Sequence, residues 1–197
     1  MARIILVTGG CRSGKSAHAQ KLAESLPGAA RRAYIATAPV IDEEMRTRVR
    51  KHQQARAAAA GGWTTIEAPI ELAEAIAAAG MPATEQPSQA WHPAFDVLLV
   101  DCLTLWVNNL MYRAEQAGGQ ITEDAAAEEC EHVLAACRAH PGTVIFVTNE
   151  VGMGIVPDNA MARRFRDLVG RCNQLVAAAA DSVQLVCSGI PLTLKGG

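Results

Sequence analysis

Gly9-Gly10-Cys11-Arg12-Ser13-Gly14-Lys15-Ser16 follows the apolar run Ile4-Ile5-Leu6-Val7 and opens into the helix-like segment Ala17 to Ser25. A strand, then G-x-x-x-x-G-K-S, then a helix is the phosphate-binding loop in the context it requires. Gly9 and Gly14 lack a Cβ, so the backbone wraps closely round an anion. The loop N–H groups and the helix N-terminus then point at the same phosphate oxygens. Lys15 sets a point charge on the outer phosphates, and the Ser16 hydroxyl is placed to ligate Mg²⁺. The stretch implies a bound nucleoside triphosphate without saying what becomes of it.

Working outward, strands and helices alternate. Ala33 to Thr37 reads as a second buried strand and Asp42 as the cap of a helix from Glu43 to about Ala60. Thr64 to Glu67 reads as a short strand, and Pro69 as the first residue of a helix through Ala79. Residues 80–94, with three prolines and no periodicity, read as a loop. Phe95 to Val100 is a strand, followed by a helix from about Thr104 to Gln116 and another, capped by Thr122, from Glu123 to Ala139. Val144 to Val147 is a strand, Asp158 opens a helix to about Ala180, Val183 to Cys187 is a strand, and Leu192 to Lys195 forms a last short one. Continuous apolar strands alternating with helices predict α/β architecture, a mostly parallel sheet with helices on both faces. With the phosphate loop on its first strand, that is a P-loop NTPase of RecA-like type.

Composition limits the alternatives. A chain of 197 residues suits one domain, here 1–197, burying roughly 70% of its unfolded surface. A net charge of −2 carries no footprint for nucleic acid or a membrane surface. No apolar run reaches the ~18 residues of a membrane span. The six cysteines form no C-x-x-C pair and read as buried small hydrophobes in a reducing compartment. The expectation is a cytoplasmic enzyme.

Three further stretches carry chemistry. Asp101 ends the strand Asp96 to Val100, where a phosphate-loop protein places the acid that holds Mg²⁺ opposite Ser16. On the helix Met45 to Arg56, Arg48, His52 and Arg56 stand at i, i+4 and i+8 and share a face. Flanking arginines bias a histidine towards its neutral, nucleophilic form and can clamp phosphates. Charge runs are usually solvated faces, however, and spacing alone favours that reading. Thr148-Asn149-Glu150-Val151-Gly152-Met153-Gly154-Ile155-Val156-Pro157 follows a buried strand and shapes a loop at the sheet's carboxyl edge, delivering Asn149 and Glu150 to a substrate crevice or simply connecting strand to helix. Arg163, Arg164 and Arg166 on the next helix suit phosphate or water. His18, His92, His132 and His140 read as structural or surface residues.

Together, GGCRSGKS, Tyr34-Ile35-Ala36-Thr37, the Glu44-Met45…Arg48…His52…Arg56 helix, and TNEVGMGIVP with Arg163-Arg164-Phe165-Arg166-Asp167 resemble the bifunctional adenosylcobinamide kinase / adenosylcobinamide-phosphate guanylyltransferases from residue 3 to about Lys195. The resemblance implies phosphorylation of the aminopropanol hydroxyl of adenosylcobinamide by ATP or GTP. Transfer of GMP from GTP onto adenosylcobinamide phosphate then follows through a GMP–histidine intermediate, releasing pyrophosphate. It places that histidine at His52, with the phosphate-loop Lys15 also catalytic. It puts nucleotide contacts on Gly9, Gly10, Cys11, Arg12, Ser13, Gly14, Lys15 and Ser16, on Ala36, Thr37 and Ala38, on Gln53, Gln54, Ala55 and Arg56, and on Glu67 and Asp101. Ser16 and Asp101 become the Mg²⁺ residues, and the assembly a homotrimer. The stretch Ala57 to Gly62 is longer than the family's usual spacing before Trp63, and loop 80–94 carries no family motif.

The resemblance reverses the reading of the basic helix: a neutral nitrogen nucleophile beside cationic clamps is what transfer through an enzyme adduct needs. A regulatory GTPase would require N-K-x-D, which is absent, and its D-x-x-G is matched only by Asp167-Leu168-Val169-Gly170 inside an expected helix. A nucleic-acid motor would want a basic stripe and a larger chain. A simple small-molecule kinase would share the loop and Asp101 but not the His52 chemistry.

Overall fold

The computed structural model describes residues 2–38, 62–81 and 94–196. In chain order these form β1 (Arg3–Gly9), α1 (Lys15–Ser25), β2 (Arg32–Ala36), β3 (Trp63–Glu67), α2 (Leu72–Gly80), β4 (Val97–Asp101), α3 (Leu103–Gln116), α4 (Glu123–Ala139), β5 (Thr143–Val147), α5 (Ala160–Ala179), β6 (Ser182–Cys187) and β7 (Ile190–Lys195). The helix expected from Glu43 to Ala60 lies outside the described residues, as does the 80–94 loop apart from its ends.

Among the described residues the strands make one seven-stranded sheet in the order β3-β2-β4-β5-β1-β6-β7. All neighbours are parallel except β7, which returns antiparallel along β6. The α/β, mostly parallel P-loop NTPase (RecA-like) architecture expected from the sequence is therefore present. The phosphate-loop strand β1 lies between β5 and β6, and β5 separates it from β4, the strand that ends in Asp101.

Alternation within each strand sends neighbouring side chains to opposite faces. Ile4 and Leu6 join Leu98, Val100, Val144 and Phe146 in a core covered by α2, α3, α4 and α5. Ile5 and Val7 join Leu99, Ile145 and Val147 against Ala19 and Ala23 of α1. Both faces thus carry helices, as expected. Each fully buried Leu, Ile or Phe contributes about 1.5–3 kcal/mol of transfer free energy. That is why the strands read as unbroken apolar runs.

Two local expectations shift. Pro69 stays outside α2, which begins at Leu72, because the preceding carbonyls are already engaged: Asn109 Nδ2 donates to Pro69 O at 2.8 Å and Trp106 Nε1 to Ile70 O at 2.8 Å. Helix α5 is capped by Asn159 rather than Asp158, its Oδ1 accepting from the Ala162 N–H at 3.0 Å. The cap expected at Thr122 of α4 is present. Four cysteines are buried, as read from the sequence, but Cys11 and Cys187 are exposed. His140 is buried, and His18 pairs with Gln184 Oε1 at 2.6 Å, so both are structural residues.

Candidate active site

β1 ends in the phosphate loop, and the geometry explains its glycines. A Cβ on Gly9 would run into the Val186 carbonyl of β6 and lie 2.7 Å from Ser13 Oγ. Gly14 adopts φ +92, where an L side chain is strained, and its missing Cβ would stand 3.2 Å from Gly189 Cα. The turn closes through Ser13 N–H to Gly10 O at 3.2 Å, while Gly189 N–H holds the Ser13 carbonyl at 2.7 Å. With that carbonyl fixed on the hairpin between β6 and β7, the loop stays open to an anion. Gly14 caps α1 with no side-chain hydrogen bond, which leaves the helix's first N–H groups for the same site. Lys15 Nζ curls over the loop to Gly10 O at 3.1 Å. Ser13 Oγ and Thr8 Oγ1 are buried without a partner among the described residues.

The carboxyl ends of the other strands converge on this loop. Across the sheet, Glu67, Ala36, Asp101, Val147 and Val7 fall in one transverse row. Asp101 is two strand spacings from β1, about 10 Å, and Glu67 four, about 19 Å. Three expected nucleotide contacts, Ala36, Glu67 and Asp101, thus line one edge. Glu67 is exposed on the edge strand, at the end farthest from the phosphate loop.

Asp101 is half-buried, and Tyr34 Oη donates to its Oδ2 at 3.1 Å. The peptide that follows is cis. Thr37, fully buried, holds Cys102 after it: its Oγ1 accepts from Cys102 N–H at 2.7 Å and donates to Cys102 O at 2.8 Å. Burial, and then the charge of Asp101, push the Cys102 thiol up to about 11, while Lys15 acts in the opposite direction. Ala38 follows Thr37, half-buried, beside the same strand ends.

Mg²⁺ can be tested against these donors. Among the described residues no group of three or more His, Cys, Asp or Glu could cage a metal. One hydroxyl, Ser16, and one carboxylate, Asp101, suit Mg²⁺, which keeps several waters and takes its remaining oxygens from phosphates.

On the other flank, the loop after β5 is bound to the phosphate loop by Glu150 N–H to Gly9 O at 3.1 Å. Behind it, Thr104 Oγ1 accepts from Asn149 N–H at 2.7 Å, Thr148 Oγ1 donates to Asn173 Oδ1 at 2.7 Å, and Asn173 Nδ2 returns to Asn149 O at 3.0 Å. Glu150 Oε1 accepts from Gly152 N–H at 2.7 Å, and Asn149 Oδ1 is buried without a partner among the described residues. Arg163 Nη1 ties down Pro157 O and Asp158 O at 2.8 and 2.7 Å, and Arg164 donates to Gln120 Oε1 and Ile121 O. These two arginines hold backbone carbonyls rather than waiting for phosphate.

His52, Gln53, Gln54, Ala55 and Arg56, with Arg48, lie outside the described residues. The sequence reading missed Thr104, Asn109 and Asn173, which brace the crevice from behind, and Gly189, which holds the phosphate loop from outside. Only Gly189 had a usable signal, the Ser188-Gly189 dipeptide between two apolar runs.

Comparison with known proteins agrees with this geometry. The profile of the family "Cobinamide kinase / cobinamide phosphate guanyltransferase" matches residues 5–194. The bifunctional adenosylcobalamin biosynthesis protein CobU of Salmonella typhimurium is 42% identical, over 98% of this chain and 99% of its own length. CobU of Escherichia coli is 40% identical over the same shares, and CobP of Pseudomonas aeruginosa, of the same description, is 37% identical over 97% of this chain and 96% of its own. Among solved structures, the flagellar accessory protein FlaH of Methanocaldococcus jannaschii covers 99% of this chain and 79% of its own, at a TM-score of 0.48 and 13% identity. The RadB recombinase covers 93% and 73%, at 0.46 and 16%. This chain, an enzyme of cobalamin biosynthesis, belongs to the cobinamide kinase / cobinamide phosphate guanyltransferase family.

Proposed function

We propose that one domain, 1–197, phosphorylates the aminopropanol hydroxyl of adenosylcobinamide with ATP or GTP and then guanylylates the product with GTP, giving adenosylcobinamide-GDP and pyrophosphate. The observation that carries the reading is that the open loop Gly9–Ser16 with Lys15, at the end of β1, and Asp101, at the end of β4, share one carboxyl edge of the sheet. Backbone N–H groups of the loop and of α1 hold the β- and γ-phosphates, and Lys15 stabilises the charge that moves as the γ-phosphoryl leaves. Ser16 and Asp101 hold Mg²⁺, which when bound neutralises phosphate charge. Ala36, Thr37 and Ala38 border the nucleotide, and Glu67 lies towards its far end.

For guanylyl transfer, a neutral ring nitrogen of His52 attacks the α-phosphorus of GTP, and the bond to the bridging oxygen breaks as pyrophosphate leaves. An oxygen of adenosylcobinamide phosphate then attacks the same phosphorus, breaking the P–N bond and restoring His52. Gln53, Gln54, Ala55 and Arg56 accompany it on the nucleotide. This step rests on the Arg48, His52 and Arg56 spacing and the family resemblance. No described helix is long and apolar enough to cross a membrane. We further propose a cytoplasmic homotrimer, the trimer following the family.

The test is His52→Ala. It keeps cobinamide-dependent kinase turnover but forms no acid-labile adduct with α-labelled GTP. An adduct that survives in the variant overturns the assignment, and a chain that never forms one is a kinase alone.

A further inference from the structure

The loop between β5 and α5, with the first turn of α5, exposes an unusual set of side chains. Ile155 is 96% exposed, Met153 82%, Met161 58% and Val156 56%, four large apolar groups within nine residues. Large apolar groups exposed so close together in the chain mark a place where something docks. The backbone beneath it is fastened at both ends. Glu150 N–H is bonded to Gly9 O, Asn173 Nδ2 to Asn149 O, and Arg163 Nη1 to Pro157 O and Asp158 O. The apolar groups are therefore held outward by a braced loop.

Position identifies the occupant. Met153 is three residues from Glu150, whose N–H touches the first glycine of the phosphate loop, and three residues span at most about 10 Å. A hydroxyl that takes the γ-phosphoryl must come within about 3–3.5 Å of phosphorus, just outside that loop. The body of the acceptor then rests on whatever borders the loop there. Asp101 borders it on the β4 side with a carboxylate, whereas the β5 side, beyond Glu150, offers hydrocarbon. Cobinamide carries its hydroxyl on a short arm from a broad macrocycle fringed with methyl groups. Flexible, polarisable Met side chains suit such an irregular surface.

Resting on the function proposed above, we propose that Met153, Ile155, Val156 and Met161 form the seat of the corrin ring of the acceptor, continuous with the phosphate loop through Glu150. The seat selects a wide, partly hydrocarbon acceptor, and the polar crevice selects the nucleotide.

The test is the double variant Met153→Ser with Ile155→Ser, assayed for cobinamide kinase kinetics, for adduct formation from α-labelled GTP without acceptor, and for mass in solution. Both side chains face away from the core, so the fold is not put at risk. The expected result is a rise of about tenfold or more in KM for cobinamide, with KM for ATP, adduct yield and mass unchanged. Direct binding of cobinamide, read from its visible absorbance in equilibrium dialysis, weakens in parallel. An unchanged KM for cobinamide, or an equal loss for ATP, overturns the seat while leaving the functional reading intact. A change of mass accompanying the loss overturns it in favour of a second copy as occupant. A wild-type chain that turns over no cobinamide overturns the functional reading and the seat together.

Discussion

Gly189 donates its backbone N–H to the Ser13 carbonyl at 2.7 Å, so the hairpin between the last two strands grips the phosphate loop from outside. Gly14 and Gly189 stand back to back at this contact, at φ +92 and +82. Substituting Ala at Gly14 meets both backbone strain and the Gly189 Cα at 3.2 Å, whereas Ala at Gly189 meets open space and pays only the backbone term, roughly 1–2 kcal/mol. Titration calorimetry should find nucleotide affinity lower in both variants, more for Gly14→Ala than for Gly189→Ala, whose effect comes through the Ser13 contact. Gly28→Ala, at φ +76 in open space, is the control for the backbone term and should leave affinity unchanged. Equal losses in all three would mean that the hairpin contact does not support the loop.

Thiol labelling offers a view of the site without turnover. Cys11 and Cys187 are exposed, while burial holds Cys102 at about 11 and Cys137 at about 12. The thiolate is the reactive form. A maleimide at neutral pH should therefore label Cys11 and Cys187 quickly and the other four slowly, as read by peptide mass mapping. Mg²⁺ with GTP should protect Cys11 but not Cys187. Unprotected Cys11 would count against nucleotide occupying the loop.

Lys15→Ala should lose both kinase and guanylyl-transfer rates by about 10²–10³-fold, the scale of a single transition-state charge contact. Asp101→Asn should weaken the dependence on Mg²⁺ and lower both rates. Steady-state kinetics with each nucleotide read the effect, and kinase turnover surviving in Lys15→Ala would argue against one cradle serving both reactions.

How far these sites were legible depends on how local their signals are. The strand–loop–helix at residues 3–25 carries its fold and chemistry within one short stretch, because glycine, lysine and hydroxyl all act on the same anion. The Asp101 strand end was readable for a similar reason: an apolar run ending in an acid implies a buried strand opening at the crevice. The bracing of the crevice was not readable. Asn109 reaches Thr37 O and Pro69 O, and Asn173 reaches Asn149 O, across separations that no sequence period encodes. Pro69 was read as a helix start from a local preference that Asn109 and Trp106 override. Arg163 and Arg164 were left open between phosphate and water because charge is visible in sequence and the carbonyls they hold are not. The readings at His52 to Arg56 lie outside the described residues.

His140 supplies a pH dependence. Its ring is 2% exposed, Nδ1 accepts from Gly142 N–H at 2.9 Å, and Nε2 has no partner among the described residues. Burial lowers its pKa below the usual 6.5, against the charge of Asp96. The unfolded chain therefore binds more protons than the folded one just below that value, and stability falls with pH below about 6.5 until the folded group titrates. Urea melts between pH 7.5 and 5 should show a stability loss that is smaller in His140→Asn, whose Oδ1 can still accept from Gly142. An identical slope in the two proteins would remove His140 as a source.

The placement of β1 between β5 and β6 has a consequence for synthesis. The phosphate loop is made before either neighbour of its strand, β5 and β6, and Ile4 N–H is fixed by Asp181 Oδ2, 177 residues later. Pairings of such separation form slowly, after most of the chain has been ordered. A nascent chain stalled before Ser182 lacks β6, the Val186 carbonyl packed on Gly9 and the Gly189 clasp, so it emerges with a complete G-x-x-x-x-G-K-S sequence and no cradle. Nucleotide capture is thereby postponed until β6 and the hairpin that follows it have been made.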